Sequence, residues 1–544
     1  MLLVMCGSEM FASNRRGDVN RMFESYNVRG YNRCGFHIVA HYFSLPGADP
    51  GVKSVLQTRP VNDTSIVSSL GHFRIHFDTT GFNAPVLYSS TGQPVPNSAF
   101  AYADTVAGIC EHVYYVEVDS LGFPPPASDS GAGGGNEYDI YIQSLPIGEY
   151  GYTDWDPSHP IVNRTNATYA TWTVIRNEFE SAYTRGIPAM EVTLAHEFHH
   201  GIQVGNYGLW ENDLWFYELT STWMEQVVYP QVKDYYQYLP SFFQNLSQQP
   251  FDEYDPNSYA GYERCVFGIF IQNEYGASLM KSIWEDMSRE RAIPAIEDAF
   301  KSRNISPSVA FELFSQWNYL TGYRAATAPG LGVTTYPLAP AYPVAGVDGT
   351  GILSSSGVSF SGRAPRLTEH FFQVDNGGDT AAILISNNNF SVSAAPDTAT
   401  YPFSVGISPG ASNCIRELTG GYCLFFDVPD FLNWSVFPLV AGSSLVAQSN
   451  VVFPQPFDPA NETVKIPYPY QQTNSASLSI YGISGNLVDE LSGDANLSHF
   501  LRGSYFVWDG QDAAGKKVAS GVYIYVVSDG SKSSVGKIAV VRNR

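Results

Sequence analysis

Residues 191–202 read Glu-Val-Thr-Leu-Ala-His-Glu-Phe-His-His-Gly-Ile, and this stretch determines how the rest of the chain is interpreted. His196 and His200 are four positions apart, so on a helix both side chains lie on one face, one turn from each other. This spacing allows two imidazoles to bind one tetrahedral zinc ion. Glu197 would reach a water molecule at the metal and could accept its proton. The stretch therefore predicts a catalytic zinc site.

The simpler interpretation is a helix whose histidines are exposed or hydrogen-bonded within the core. The apolar residues Val192, Ala195 and Ile202 recur at helical spacing and would bury one side of the helix, which argues against exposure. The motif is expected by accident only about 0.01 times in a chain with this content of His and Glu. We therefore favour the metal interpretation. His199 points elsewhere and is given no metal role.

A catalytic zinc ion needs a third protein ligand and an open fourth position. Metzincins supply a histidine six residues after the second motif histidine, with a glycine midway, but these positions hold Asn206 and Gln203. Gluzincins instead take a glutamate from a second helix about twenty residues downstream. Glu218 lies eighteen positions after His200, in a stretch that reads Trp-Phe-Tyr-Glu-Leu-Thr-Ser-Thr-Trp-Met-Glu. This arrangement indicates a gluzincin-type metalloprotease.

Glu218 belongs to a polar stripe that also contains Ser221, Thr222 and Glu225 at helical spacing. Such a stripe is more often a solvated helix face than a metal site. Because it follows the histidine motif directly, on a helix otherwise rich in aromatic residues, we favour Glu218 as the third zinc ligand. Glu225 or Thr222 would then hydrogen-bond a ligand imidazole and fix its tautomer.

A tyrosine could complete the catalytic group. Zinc peptidases often place a Tyr or His to bind the developing oxyanion, and Tyr259 and Tyr262 begin a helical segment downstream of the motif. The chain has 35 tyrosines, so core packing is the commoner role for any one of them. Tyr262 is the candidate for the catalytic role, with Tyr259 as the alternative.

The composition limits the partners of this chain. Its 544 residues are too many for one hydrophobic core, so three or four domains are expected. A net charge of −22 disfavours nucleic acid and anionic membranes as partners and suits a soluble exported protein. No apolar run is long enough to predict a transmembrane segment. The short apolar start, residues 1–7, is interpreted as the remnant of a truncated signal peptide.

Two further features leave alternatives open. Six cysteines allow fifteen pairings, and only Cys414 and Cys423, which flank Gly420-Gly421 in a predicted hairpin, indicate a disulfide. Unpaired buried thiols are the alternative. Asp154 and Asp156 could bind Ca²⁺, but scattered carboxylates in an acidic protein are usually solvated, so calcium is unsupported.

The chain divides into segments of different composition. Residues 1–67 are polar and predicted to be irregular. Residues 68–327 combine alternating strands with amphipathic helices, and the Pro- and Gly-rich residues 328–345 are interpreted as a linker. Short alternating segments between turn residues predict a β-sandwich over 346–450, and a further β module follows at 453–544.

Residues 68–327 carry four landmarks in a fixed order: His72-Phe-Arg-Ile-His-Phe-Asp, Tyr138-Asp-Ile-Tyr, His196-Glu-Phe-His-His, and Glu218 through Glu225. With these landmarks the region resembles a poorly characterised family of secreted bacterial metalloproteases. The resemblance implies zinc peptidase activity without specifying a substrate. In such zincin-like domains an edge strand above the metal pairs with an extended peptide, but the sequence does not reveal which strand forms this edge.

The final segment carries Val507-Trp-Asp-Gly and Ser520-Gly-Val-Tyr. It resembles the Ig-like module of flagellar hook-cap proteins and the sorting domains of type IX secretion, modules that also occur at the C-termini of exported bacterial enzymes. The resemblance implies a role in export or surface sorting, hence contact with secretion machinery or the cell surface. A plain spacer domain is the alternative.

Taken together, the sequence predicts a multidomain protein. An α+β zincin-like (gluzincin-type) catalytic domain would be followed by all-β sandwich and Ig-like domains. One catalytic Zn²⁺ would be held by His196, His200 and Glu218, with Glu197 as general base and Tyr262 as oxyanion donor. The expected function is a secreted or cell-surface endopeptidase acting on proteins or peptides. A surface adhesion or scaffold protein with an inactive metalloprotease-like domain, and hydrolysis of non-peptide amides, are the alternatives.

Overall fold

The chain forms two compact units that alternate along the sequence. One unit comprises Met1–Tyr238, Asp252–Gln272 and Gly276–Ala295, and the other comprises Leu239–Phe251, Asn273–Tyr275 and Ile296–Arg544. The computed structural model describes residues 17–26, 33–255, 261–328, 334–375, 380–390, 400–409, 414–418, 422–427, 432–438, 452, 457–460, 463–468, 470, 475–493, 496–500 and 503–542. Over these residues the chain is multidomain, with many helices and several separate β-sheets.

The α-helices precede the long β-rich stretch. They are α1 (residues 17–26), α2 (Phe36–Ser44), α3 (Pro50–Leu56), α4 (Ala99–Tyr114), α5 (Ile187–Ile202), α6 (Leu214–Val228), α7 (Leu239–Asn245), α8 (Cys265–Tyr275), α9 (Ala277–Met287), α10 (Ala292–Ser302) and α11 (Pro307–Tyr319). Two of them continue as π-helical turns, α4 through Tyr115–Ser120 and α5 through Gln203–Tyr207. Among the described residues, no helix is both long enough and apolar enough to cross a bilayer.

A five-stranded sheet forms the centre of the first unit. Its strands are β1 (Thr64–Val67), β2 (Phe73–Phe77), β3 (Tyr138–Gln143), β4 (Gly151–Trp155) and β5 (Thr171–Arg176), in the order β1-β2-β3-β5-β4. The three inner strands are parallel, whereas β1 and β4 pair antiparallel at the two edges. Every residue of β4 and β5 is buried, and helices α2 and α5 contact this part of the sheet. Helix α5 packs against β4 and β5, which places the histidine motif beside one edge of the sheet.

The described part of the N-terminal segment is ordered, which corrects the prediction that residues 1–67 are irregular. It contains α2, α3 and β1. Phe36, Ile38 and Val39 are completely buried, so α2 contributes to the core of the first unit. The Asp49 carboxylate accepts the backbone N–H of Gly51 and caps α3. The prediction failed because α2 and α3 are short and lack the long apolar periodicity that marks a helix in sequence.

Two four-stranded sheets of the second unit share one core. Their strands are β6 (Gly349–Ile352), β7 (Val358–Ala364), β8 (Glu369–Asp375), β9 (Thr380–Asn387), β10 (Tyr401–Pro409), β11 (Cys414–Leu418), β12 (Tyr422–Asp427) and β13 (Leu432–Pro438), in the orders β11-β12-β10-β7 and β13-β9-β8-β6. Phe372 and Ile383 from one sheet and Val405 and Ile407 from the other belong to a common buried cluster. The side chains of Cys414 and Cys423 lie outside the described residues, so the predicted disulfide stays a prediction.

The last two sheets share a second core. Their strands are β14 (Val464–Tyr468), β15 (Ser477–Gly482), β16 (Leu487–Ser492), β17 (Leu497–Phe500), β18 (Gly503–Trp508), β19 (Gly521–Ser528) and β20 (Ser533–Val540), in the orders β14-β18-β17 and β16-β15-β19-β20. Trp508 of the Trp-Asp-Gly stretch is buried in this core against Phe457. Its indole N–H donates to the Gln511 carbonyl at 2.9 Å, so the indole is held by both packing and a hydrogen bond.

The described part of residues 328–345 packs within the second unit, which corrects its interpretation as a linker. The Tyr336 hydroxyl donates to Asn318 Oδ1 at 2.6 Å, and its ring lies 5.0 Å from that of Trp317. The Asn318 side-chain amide in turn donates to the Glu369 carboxylate at 2.9 Å. Helix α11 therefore belongs with the sandwich, although the sequence placed the boundary after residue 327. Aromatic residues between the prolines account for the difference, because they supply buried surface that linkers lack.

Candidate metal centre

Three predicted ligands meet where α5 packs against α6. The Nε2 atom of His196 lies 3.0 Å from Glu218 Oε2, and the Nε2 atom of His200 lies 3.4 Å from the same oxygen. All three side chains are buried. The polar stripe of α6 therefore faces α5 and not solvent, and it presents a carboxylate to both imidazoles.

The spacing of these atoms fits a metal ion. Zinc at 2.0–2.1 Å from tetrahedral nitrogen and oxygen ligands separates neighbouring donors by about 3.3 Å. The observed separations of 3.0 and 3.4 Å lie on either side of this value. Cys34 joins the group, and one ligand atom from each of Cys34, His196, His200 and Glu218 lies within 4.8 Å of the others. This buried cluster could hold a metal ion.

Hydrogen bonds at the far side of each imidazole orient the group. His196 Nδ1 lies 2.8 Å from Glu225 Oε1, and His200 Nδ1 lies 2.7 Å from Gln203 Oε1. With a proton on each Nδ1, both Nε2 lone pairs point towards Glu218. Of the two residues predicted to orient an imidazole, Glu225 occupies that position, whereas the buried Thr222 hydroxyl has no hydrogen-bond partner among the described residues.

The charges of the cluster favour cation binding. Burial alone would raise the pKa of the Glu218 carboxyl, but the charge interaction with His200 and the close approach of His196 hold it well below its usual value. Burial lowers the pKa of His196 to about 4, so its imidazole is neutral at pH 7. Glu218 and His196 are therefore in the protonation state that metal binding requires. Burial would lower the pKa of His200, but the Glu218 carboxylate raises it, so this imidazole gives up its proton when a metal binds.

Glu197 lies beside the cluster, on the next position of α5. Its Oε2 atom accepts a hydrogen bond from the Thr153 hydroxyl on edge strand β4 at 2.9 Å. Burial raises the pKa of Glu197 to about 7, with smaller opposing effects from His200 and Cys34. A carboxyl group with a pKa near 7 can both accept and return a proton at neutral pH.

Three residues of the N-terminal part, Cys34, Phe36 and His37, reach the centre without having been predicted. His37 Nδ1 lies 3.1 Å from Glu218 Oε1, and the Phe36 ring stacks on the His200 ring at 4.0 Å. Cys34 lies just before α2 and is buried. Neither Cys34 nor His37 belongs to a spaced motif, and each lies at least 150 residues before α5. The sequence signal at this place is the mainly apolar stretch from residue 36 to residue 40, which contains His37.

Tyr262 is close to the centre, but its hydroxyl is already engaged. It donates to the Cys34 carbonyl at 3.1 Å and lies 3.2 Å from the Cys34 backbone nitrogen, whose N–H it accepts. The Tyr262 ring is 5.8 Å from that of His196. Tyr259, the alternative candidate, lies outside the described residues.

A small cavity of about 20 Å³ adjoins the centre. This volume corresponds to about one water molecule. His196, Glu197, Cys34 and Tyr262 contribute to its wall, together with Arg33, Tyr150, Val192, Thr193, Glu225, Asp234 and Tyr238. The predicted base and the predicted oxyanion donor therefore line the same cavity.

The remaining candidates lie away from this cluster. His199 Nδ1 is 2.9 Å from Glu117 Oε2, in a fully buried pair on another side of α5. Asp154 accepts the backbone N–H of Trp155, and Asp156 contacts Ser158 and His159. Across the described residues, no second group of three or more His, Cys, Asp or Glu side chains brings ligand atoms together.

Comparisons with known proteins leave the chain's function to be judged from this geometry. No protein family matches the sequence, and no curated protein matches it. Among solved structures, dimeric latent PorU from Porphyromonas gingivalis is 16% identical over 26% of this chain and 18% of that one, with a TM-score of 0.15. PorZ, described as an essential surface component of the type IX secretion system of the same bacterium, is 13% identical over 35% of this chain and 39% of that one, with a TM-score of 0.13. Likenesses at this level carry no argument about fold or function.

Proposed function

We propose that this protein is an exported zinc-dependent endopeptidase whose first unit is a zincin-like, gluzincin-type catalytic domain. The observation that carries the proposal is the convergence of His196, His200 and Glu218, with Glu197 on the next position of the same helix. The substrate class is protein or peptide. Zn²⁺ is the metal that we propose, because two imidazoles and a carboxylate suit it.

Each side chain of the centre would have a separate role in peptide hydrolysis. Zinc in such a site acts as a Lewis acid and makes water easier to deprotonate. The Glu197 carboxylate would accept the proton of the attacking water and deliver it to the leaving amine nitrogen. Thr153, which donates to Oε2 of Glu197, holds this carboxylate in place. The Tyr262 hydroxyl would donate to the developing oxyanion once its bond to the Cys34 carbonyl is released.

The position of β4 supports a peptide substrate. This strand is at the edge of the sheet next to α5, and its Thr153 contacts Glu197. An extended peptide that adds to such an edge would lay its backbone beside the general base. Export is supported by the net charge of −22 and by the resemblance of residues 453–544 to secreted sorting modules, which implies contact with secretion machinery or the cell surface.

One observation favours the scaffold alternative. Cys34 completes a set of four protein donors, and closed four-ligand sites are typical of structural zinc. In that case the ion would stabilise the first unit without supporting hydrolysis. The two functions differ in whether a chain with bound zinc can cleave peptide bonds when Cys34 is removed.

The test measures zinc content and casein cleavage for the wild type and the Cys34→Ala variant, each with and without Glu197→Gln. We expect one zinc per chain in all four proteins, and cleavage by the Cys34→Ala protein that falls by about a hundredfold or more when Glu197→Gln is added, because general base catalysis is lost. Glu191→Gln, the same change on the same helix away from the ligands, is the control and should not alter cleavage. Bound zinc without cleavage in any protein would overturn the peptidase proposal.

A further inference from the structure

Residues 33–35 contact the metal cluster, edge strand β4 and the Tyr262 hydroxyl. We propose that Cys34 is the fourth metal ligand and that residues 33–35 lie where a substrate strand would pair, so that the centre is closed in this form of the chain. The inference rests on the proposed peptidase function and describes the regulation of that site.

The first argument is the donor set. The Cys34 thiol lies among the ligand atoms of His196, His200 and Glu218, all within 4.8 Å of one another. Its Sγ atom accepts a hydrogen bond from the Phe36 backbone N–H at 3.3 Å, and the thiol also hydrogen-bonds the Glu197 carboxyl group. Thiolate is a favoured zinc ligand, and a fourth protein donor fills the position that a catalytic zinc keeps open for water or substrate. Cys34 therefore excludes the substrate carbonyl from the metal.

The second argument is the backbone pairing of this segment. The backbone N–H of Tyr150 donates to the Arg33 carbonyl at 2.7 Å, and that of Gly35 donates to the Gly151 carbonyl at 2.9 Å. Cys34 thereby forms a parallel bridge to Gly151 at the start of edge strand β4. These are the main-chain bonds that strand addition offers to an extended peptide, and residues 33–35 already use them.

The third argument is the use of the tyrosine hydroxyl. Tyr262, the candidate oxyanion donor, exchanges hydrogen bonds with the backbone N–H and carbonyl of Cys34. One short segment thus takes the open metal position, the sheet edge and the oxyanion donor. Phe36 and His37, which follow this segment in α2, are completely buried.

The test uses the full chain loaded with Co²⁺ in place of zinc. A cysteine thiolate bound to Co²⁺ gives a charge-transfer absorption in the near ultraviolet, whereas imidazole and carboxylate ligands leave only the visible bands. The variants are Cys34→Ala and, as a matched control, Cys110→Ala. Both cysteines are 2% exposed, but Cys110 lies in α4 away from the cluster. Acetohydroxamate, a small metal ligand, then reports whether a coordination position is open.

We expect the charge-transfer band in the wild type and in Cys110→Ala, and its loss in Cys34→Ala with the visible bands retained. Acetohydroxamate should bind the Cys34→Ala protein at least about tenfold more tightly than the wild type. A wild type that binds Co²⁺ without the band, or that binds acetohydroxamate as tightly as the variant, would overturn the proposal. If the spectra are as expected but the Cys34→Ala protein does not cleave casein, the closed site stands and the peptidase function falls.

Discussion

At the scale of single residues, the orientation of His196 depends on Glu225. Because the Glu225 carboxyl accepts the Nδ1 proton of His196 at 2.8 Å, it fixes the tautomer that leaves Nε2 free for a metal. We expect Glu225→Ala to weaken zinc binding by about ten- to a hundredfold. The measurement is competition for zinc against a chelator of known affinity.

The control for this change is Gln226→Ala, the neighbouring position of the same helix, which makes no contact with a cluster imidazole among the described residues. Glu225→Gln should restore most of the affinity, because its amide oxygen still accepts the His196 proton. Equal zinc affinity in wild type and Glu225→Ala would show that Glu225 is merely buried beside the imidazole.

The residues that could be predicted from sequence share a fixed local spacing. His196, Glu197 and His200 form one motif, and Glu218 follows on a helix recognisable from its aromatic content. Cys34 lacks such a context, because a single thiol in a short segment gives no periodic signal. Its approach to the cluster depends on pairing with β4, a tertiary contact that local spacing does not encode. The assembled donor set was therefore predicted only in part.

At the scale of secondary structure, the positions of strands and helices could be predicted from periodicity. Which strands lie next to each other in the sheet could not. Phe73, Ile75 and Phe77 alternate with polar residues in β2, which is the pattern of a half-buried strand, and all three are completely buried. The same strand pattern did not show that β4 would be an edge, because its residues are buried on both faces like those of a central strand. Strand order is decided by long-range pairing, which leaves little trace in a single strand.

A buried carboxyl between α11 and β8 makes the stability of the second unit sensitive to pH. Burial raises the pKa of Glu369 to about 8, although hydrogen bonds from Asn318 and Ser315 lower it. The unfolded chain releases this proton near pH 4.5 and the folded chain near pH 8. The contribution of Glu369 to the free energy of unfolding is therefore highest below about pH 4.5 and falls as the pH rises to about 8. The loss between about pH 5 and pH 8 is on the order of 3 kcal/mol.

Glu369→Gln tests this contribution, because glutamine keeps an acceptor oxygen for Asn318 but does not ionise. We expect the variant to gain stability relative to the wild type as the pH rises, measured as urea unfolding midpoints at pH 5 and pH 8. Glu490→Gln, at an exposed position of β16, should follow the wild type. Parallel pH profiles for Glu369→Gln and wild type would contradict the raised pKa.

At the scale of the whole molecule, composition predicted a multidomain chain but misplaced a boundary. Prolines and glycines at 328–345 indicated a linker, whereas the structure gives α11 and the described residues of this stretch to the second unit. A prediction from composition depends on the number of turn-forming residues and does not take into account the few aromatic side chains that pack between them. Tyr336 and Tyr342 are only 2% and 3% exposed, and they hold the stretch against its unit.

Limited proteolysis of the full chain distinguishes a packed stretch from a linker. Subtilisin cleaves exposed backbone with little sequence preference, and a protease reaches packed segments only when they open locally. We therefore expect cuts near Phe82, which is 82% exposed in a turn, well before any cut within residues 334–345. Tyr336→Ala removes the bond to Asn318 and should bring cleavage of 334–345 forward, while the rate near Phe82 stays the same. If mass spectrometry places the first cuts in the wild type within residues 334–345, this stretch is a linker and the domain boundary lies at residue 327.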